Sequence, residues 1–196
     1  MAQAARRLAA WPDLLALGEG VEAEIFDGEI VHKYGMSPRP AAPHGHVQAA
    51  LSGRLFPPFV DGEQGGPGGW WIVIEPDLEL QAHQIVSPDV VGWRRETLPE
   101  FPSERPVTAA PDWVCEVLSP STAQRDRTVK ADLYLRAGVK YFWLIDIEAR
   151  TLEALVSESG RWVRLGAFAG QEPTQIAPFE ALELRVDRLF PPNPDR

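Results

Sequence analysis

Apolar positions along this chain switch between two periods, and the switches mark out its elements. "VEAEIFDGEIVHKYG" holds two short alternating runs either side of Asp27-Gly28. Asp-Gly tolerates the positive φ angles of a two-residue turn, so the pattern predicts an opening β-hairpin. In "HGHVQAALSGRLF" the period lengthens, and Val47, Ala50, Leu51 and Leu55 fall on one stripe of a helix. After the glycine-rich break "DGEQGGPGG", the segments "WWIVIEPDLEL" and "IVSPDVVGW" return to strand patterns. The proline-rich "RRETLPEFPSERPVTAAP" belongs on the surface as an irregular connection.

The pattern from Trp113 to Leu118 predicts a strand, and "SPST" after it offers N-cap residues for a helix over about residues 124–137, closed by Gly138. "VKYFWLIDI" is apolar almost throughout, as in a strand buried on both faces. A helical crossover between two such strands joins them in parallel with right-handed chirality. "TLEALVSE" and "RWVRLGAF" meet at Ser159-Gly160 as an antiparallel hairpin at the sheet's edge, and "VDRLFPP" is a helical turn stopped by prolines. The fold class is α/β: a mixed central sheet flanked by helices, with antiparallel hairpin additions. Residues 1–20 read as an arm, either a short amphipathic helix or frayed chain; residues 21–190 read as one domain and 191–196 as a tail.

Composition narrows the picture. At 196 residues, 44% hydrophobic and 24% charged, the chain suits one soluble domain. No apolar run nears the roughly 20 residues of a membrane span. Pro12 and Asp13 interrupt the first apolar stretch, so no signal-peptide core is present there. The single cysteine, Cys115, sits inside a strand, which excludes a disulfide framework and a thiolate zinc site and points to a reducing cytoplasm. A net charge of -9 argues against coating nucleic acid through bulk electrostatics. One local exception runs from Arg125 to Lys140, with five basic residues against Asp126 and Asp132; a solvated helix face is its simpler reading.

Strand alternation puts Val114, Glu116 and Leu118 on one face, with Trp113, Cys115 and Val117 on the other. A lone buried carboxylate costs several kcal/mol, so Glu116 requires a partner, either a helix lysine or arginine or a metal ion. Asp89 opens an earlier apolar run after Pro88 and is either a turn cap or a second ligand. Two carboxylates on adjacent strands offer the hard oxygens that Mg²⁺ or Mn²⁺ prefer. Asp112, in the second Pro-Asp, also opens a strand, four residues before Glu116, and only one of the two Pro-Asp pairs need matter. Lys130 lies four residues before Tyr134 and shares a helix face with it. A nucleophile-based hydrolase is disfavoured: Ser119 and Ser121 lie in no G-x-S-x-G elbow, and Cys115 faces away from Glu116.

The segments "AEIFDGEI", "SPDVVGW" and "PDWVCEVLSPSTAQRDRTVKADLYLRAGVKYFWLID", with the closing hairpin, resemble the Uma2 family of restriction endonuclease domains within the PD-(D/E)XK nuclease superfamily. The resemblance covers about residues 21–190. It implies a restriction-endonuclease-like core and Mg²⁺- or Mn²⁺-dependent hydrolysis of phosphodiester bonds in DNA. It makes Asp89 and Glu116 catalytic metal ligands, with the backbone carbonyl of Val117 as a further one. The superfamily's usual lysine slot, two residues after the acid, holds Leu118; the resemblance moves the lysine to the following helix, at Lys130. It adds Glu24 and His44 as accessory positions, with Gln124, Arg125 and Asp126 flanking the site. His44 fits the helix register better than His46, although capping or solvation is the simpler reading of either. A homodimer would let two sites reach two strands. Two other readings stay open: a non-catalytic binding or assembly module, favoured by Leu118 and the acidic charge, and a hydrolase of another small phosphodiester.

Overall fold

The computed structural model describes residues 7–33 and 42–192. The arm contributes one helical turn, α1 (Trp11–Leu15), none of whose residues is buried. Of the two readings of the arm, a short amphipathic helix or frayed chain, the described part shows one helical turn, started where Asp13 accepts the Ala10 N–H at 2.8 Å. Residues 1–6 lie outside the described residues.

Strands β1 (Ala23–Phe26) and β2 (Glu29–His32) form the opening hairpin. Asp27 and Gly28 take φ angles of 50° and 75°, the two positive values that the turn requires. Helix α2 (Ala42–Leu55) follows and widens into a π-turn over Phe56–Val60. Strands β3 (Trp70–Ile74), β4 (Leu78–Gln81), β5 (Gln84–Val86) and β6 (Val90–Arg94) come next. The chain then runs through β7 (Trp113–Leu118), a helical rod α3, β8 (Tyr141–Asp146) and the hairpin β9 (Thr151–Glu158) and β10 (Arg161–Phe168). Rod α3 is built of Ala123–Arg125, a π-turn Asp126–Lys130 and Ala131–Arg136, and stops before Gly138 at φ 86°. Two short strands, β11 (Thr174–Gln175) and β12 (Glu183–Leu184), pair with each other, and a 3-10 turn, Val186–Leu189, follows them.

Six strands form a mixed sheet in the order β10-β9-β8-β7-β6-β3. Its β7–β8 pair is parallel, joined by the α3 crossover as expected, and its other pairs are antiparallel. The antiparallel additions go beyond the opening hairpin: β2-β1-β5-β4 form a second, antiparallel sheet. The division falls where the chain leaves β3 at Glu75, whose φ is 50°, and again at Ser87-Pro88-Asp89 before β6. Both exits border the site described below.

Each face of the six-stranded sheet is covered. On one face Val47, Leu51 and Leu55 of α2 pack with Trp113, Cys115, Val117, Trp143 and Phe179. Complete burial of a leucine such as Leu51 contributes about 1.5–3 kcal/mol. On the other, Leu133 and Tyr134 of α3 pack with Val114, Leu118, Phe142 and Leu144. The alternation expected along β7 therefore holds, and Glu116 points to the α3 side. No described helix is long and apolar enough to cross a membrane.

Candidate active site

Glu116 is fully buried in the middle of β7, and its partner is the helix that crosses above it. The Lys130 ammonium lies 3.0 Å from Glu116 Oε1, and the Tyr134 hydroxyl donates to the same oxygen at 2.5 Å. Spacing four residues along α3 sets both side chains over the strand. The same ammonium lies 2.9 Å from Glu24 Oε1 and 3.3 Å from Asp126 Oδ1. The π-turn helps here, because its wider spacing carries Asp126 and Lys130 inward together. Glu24 arrives from β1 of the second sheet, where its Oε1 also accepts the Ser87 N–H at 3.1 Å. Arg125 stands 3.9 Å from Glu24 Oε2.

Asp89 binds a different set. The β6–β7 ladder ends at Val90 and Cys115, and the Val117 N–H beyond it donates instead to Asp89 Oδ2 at 2.6 Å. His44 Nε2 lies 2.9 Å from Asp89 Oδ1, Gln48 donates to that oxygen at 3.3 Å, and the Lys33 ammonium stands 3.7 Å away. Lys33 also donates to the Ser87 carbonyl at 3.0 Å. His44 is therefore no helix cap, whereas His46 is exposed. Sequence reasoning missed Gln48 and Lys33. Gln48 had a signal, being a polar residue one turn from His44 on the buried stripe of α2; Lys33 had none beyond following a strand.

Four buried carboxylates, Glu24, Asp89, Glu116 and Asp126, thus face Lys130, Lys33 and the more distant Arg125. Burial pushes the Glu116 carboxyl up to about 8 against the pull of Lys130, with the charges of Asp126 and Asp89 adding to the rise. Burial likewise raises Asp126. Asp89 moves the other way: burial would raise it, but the His44 hydrogen bond and the charges of Lys33, His44 and Lys130 hold it below the usual carboxylate range. Burial would lower Lys130, yet Glu116 and Glu24 keep it well above the ordinary ammonium value. Asp89 and Lys130 are accordingly charged at neutral pH, while Glu116 largely keeps its proton.

This donor set fits a hard divalent cation in chemistry and charge. Carboxyl groups outnumber cationic groups by one, a surplus that the Glu116 proton offsets, and Glu24 Oε2 and Asp126 Oδ1 are buried without a hydrogen-bond partner. The ligands are not gathered in advance, since no three His, Cys, Asp or Glu among the described residues form a metal-holding group. An open cleft of about 280 Å³ reaches the cluster at Lys33 and Ser87, with Glu75, Asp77 and Arg105 on its walls.

Two candidates stand apart. Gln124 is exposed, and its side chain makes no hydrogen bond among the described residues, while its carbonyl accepts from the Thr128 hydroxyl at 2.7 Å. Asp112 anchors a loop by accepting the Arg94 N–H and the Thr97 hydroxyl, each at 2.8 Å. Asp112→Ala should therefore cost about 1–2 kcal/mol in a urea melt and leave the chemistry of the carboxylate cluster unchanged.

A family model described as "Putative restriction endonuclease", Uma2, matches residues 8–187. The fold is similar to the crystal structure of a putative nuclease belonging to DUF820 from Anabaena variabilis, with a TM-score of 0.65 and 21% identity, over 91% of this chain and 96% of that one. No curated protein matches.

Proposed function

The chain belongs to the Uma2 putative restriction endonuclease family, and we propose that it is a Mg²⁺- or Mn²⁺-dependent endonuclease acting on DNA at the Glu24–Asp89–Glu116–Lys130 cluster. The observation that carries this reading is the surplus of buried carboxyl groups around Lys130, with burial pushing the Glu116 carboxyl up to about 8. Asp89, Glu116 and the Val117 carbonyl would hold the ion, and Glu24 is available to them through its unpartnered oxygen. Such an ion polarises a phosphoryl oxygen and lowers the pKa of a bound water.

The chain's own residues prepare that chemistry. The Val117 N–H and His44 fix the Asp89 carboxylate in one orientation and keep it ionised. Lys130 and Tyr134 hold Glu116 in one orientation, and Lys130 also supplies positive charge where the site accumulates negative charge. Lys33 borders both Asp89 and the open cleft, where an entering phosphate arrives.

Incubation with duplex DNA tests the proposal. Mg²⁺ or Mn²⁺ should yield cut products, EDTA should abolish them, and excess cation should restore them; the ratio of nicked to linear plasmid reports whether one copy or two act together. No cleavage of duplex, single-stranded DNA or RNA with either metal would sink it. A second reading, a binding module that keeps the fold without cutting, is favoured by Leu118 in the usual lysine slot and by the enclosure of Lys130. Calorimetric Mn²⁺ binding without cleavage would select it.

A further inference from the structure

A second cleft, of about 770 Å³, is lined from α2, the β8–β9 turn, the segment after β10 and the C-terminal prolines. None of Glu24, Asp89, Glu116 or Lys130 lines it. Three arginines do, Arg54, Arg150 and Arg188, together with His46, and the one carboxylate among the lining residues is Asp187. In a chain of net charge -9 this local surplus of positive charge runs against the overall balance.

The charges of these walls are poorly matched among themselves. Asp187 is already committed to Arg185 at 2.9 Å, with Arg188 more distant at 3.9 Å. The Arg54 side chain, half-buried in the last turn of α2, has no hydrogen bond or ion pair among the described residues. Arg150 is fixed in place, since it donates to the Pro191 carbonyl at 3.0 Å and lies over the Phe190 ring at 4.9 Å. Those contacts leave most of its N–H donors without a partner among the described residues. Like charges facing one cleft repel each other, and an anion between them removes that repulsion and satisfies the free guanidinium donors. The planar fork of arginine matches phosphate oxygens in pairs, and the volume falls in the range of small-molecule and nucleotide sites.

We propose that this cleft binds phosphate groups. Two sources share that chemistry, the backbone of a nucleic acid held at the carboxylate cluster and a free nucleotide. The first rests on the endonuclease reading and has a geometric basis: His44 and Arg54 lie ten residues apart on α2, about 15 Å along its axis, which is four to five steps of duplex rise.

The test compares the full-length wild type with Arg54→Ala/Arg188→Ala by fluorescence anisotropy in EDTA, using a labelled short duplex and a labelled nucleoside triphosphate. The double variant should bind at least one probe about tenfold more weakly at ~0.15 M salt. If that probe is the duplex, the slope of log affinity against log salt should also fall by about two. Loss confined to the duplex assigns the backbone, and loss with the nucleotide assigns a small-anion site. Unchanged affinity for both, or no binding by the wild type, overturns the proposal. Arg54→Lys should keep the salt slope and lose part of the affinity. Mn²⁺ titration, which reads the carboxylate cluster, should not change in the double variant, so failure of the endonuclease reading and failure of this one are told apart.

Discussion

Glu116→Gln is expected to abolish metal-dependent cleavage, lowering the single-turnover rate by at least about 10³-fold, while the protein stays folded. Glutamine keeps the shape and can still accept from Lys130 and Tyr134, but it cannot supply an anionic ligand. Loss of several kcal/mol of charge stabilisation in the transition state corresponds to that factor, at tenfold per 1.4 kcal/mol or about that. Stability moves in the other direction. The Glu116 carboxyl titrates near 8 in the folded chain and near 4.5 when unperturbed. Between those values the native state holds a proton that the unfolded chain has released, so metal-free stability falls as pH rises across that window, by at most about 1.4 kcal/mol per pH unit. The amide variant lacks this dependence. In EDTA near pH 8 its urea midpoint should equal or exceed that of the wild type, and its pH profile should be flatter. A cleavage rate within tenfold of wild type would remove Glu116 from the chemistry.

The local pattern of this fold is readable because its physics is local. Asp27-Gly28 needs no distant partner to form its turn, and the alternation along β7 sends Glu116 to the α3 side wherever the sheet sits. The pairing of Glu116 with a helix lysine was one of two readings that residue types allowed, and Tyr134 could be placed beside Lys130 from spacing alone. The split into two sheets was not readable, since it turns on the positive φ of Glu75, a residue type that rarely adopts it. Nor was the role of His44: the register of α2 puts it on the buried stripe, but its contact with Asp89 crosses 45 residues of sequence. Lys33 reaches the cluster for the same long-range reason. The identity of Asp89 and Glu116 as a pair came from resemblance, because Pro-Asp occurs twice and the pattern alone does not say which one anchors a loop.

Lys130→Met should produce the largest loss of stability of any single change at the site, about 3–5 kcal/mol at neutral pH, seen as a fall of about 10 °C or more in Tm. Methionine fills much of the same volume, so packing is not the main loss. What goes is the one ammonium that Glu24, Glu116 and Asp126 share, all three of them buried. Left facing each other, these carboxylates must bind protons or a cation, or the fold must open. The folded Glu116 and Asp126 carboxyls, already raised by burial, then titrate still higher, so the native state binds more protons than the unfolded chain, and the deficit should shrink as pH falls toward about 5 and widen toward about 8. Mg²⁺ or Mn²⁺ should restore part of it, by about 2.7 kcal/mol where the ion stands at 100 times its Kd. Thermal melts with and without EDTA at both ends of that range decide the matter. A deficit that ignores pH and metal alike would reduce Lys130 to packing. The expected result sets the two variants against each other: removing the acid flattens the pH profile, removing the base steepens it, and only a carboxylate cluster held together by that ammonium gives both signs.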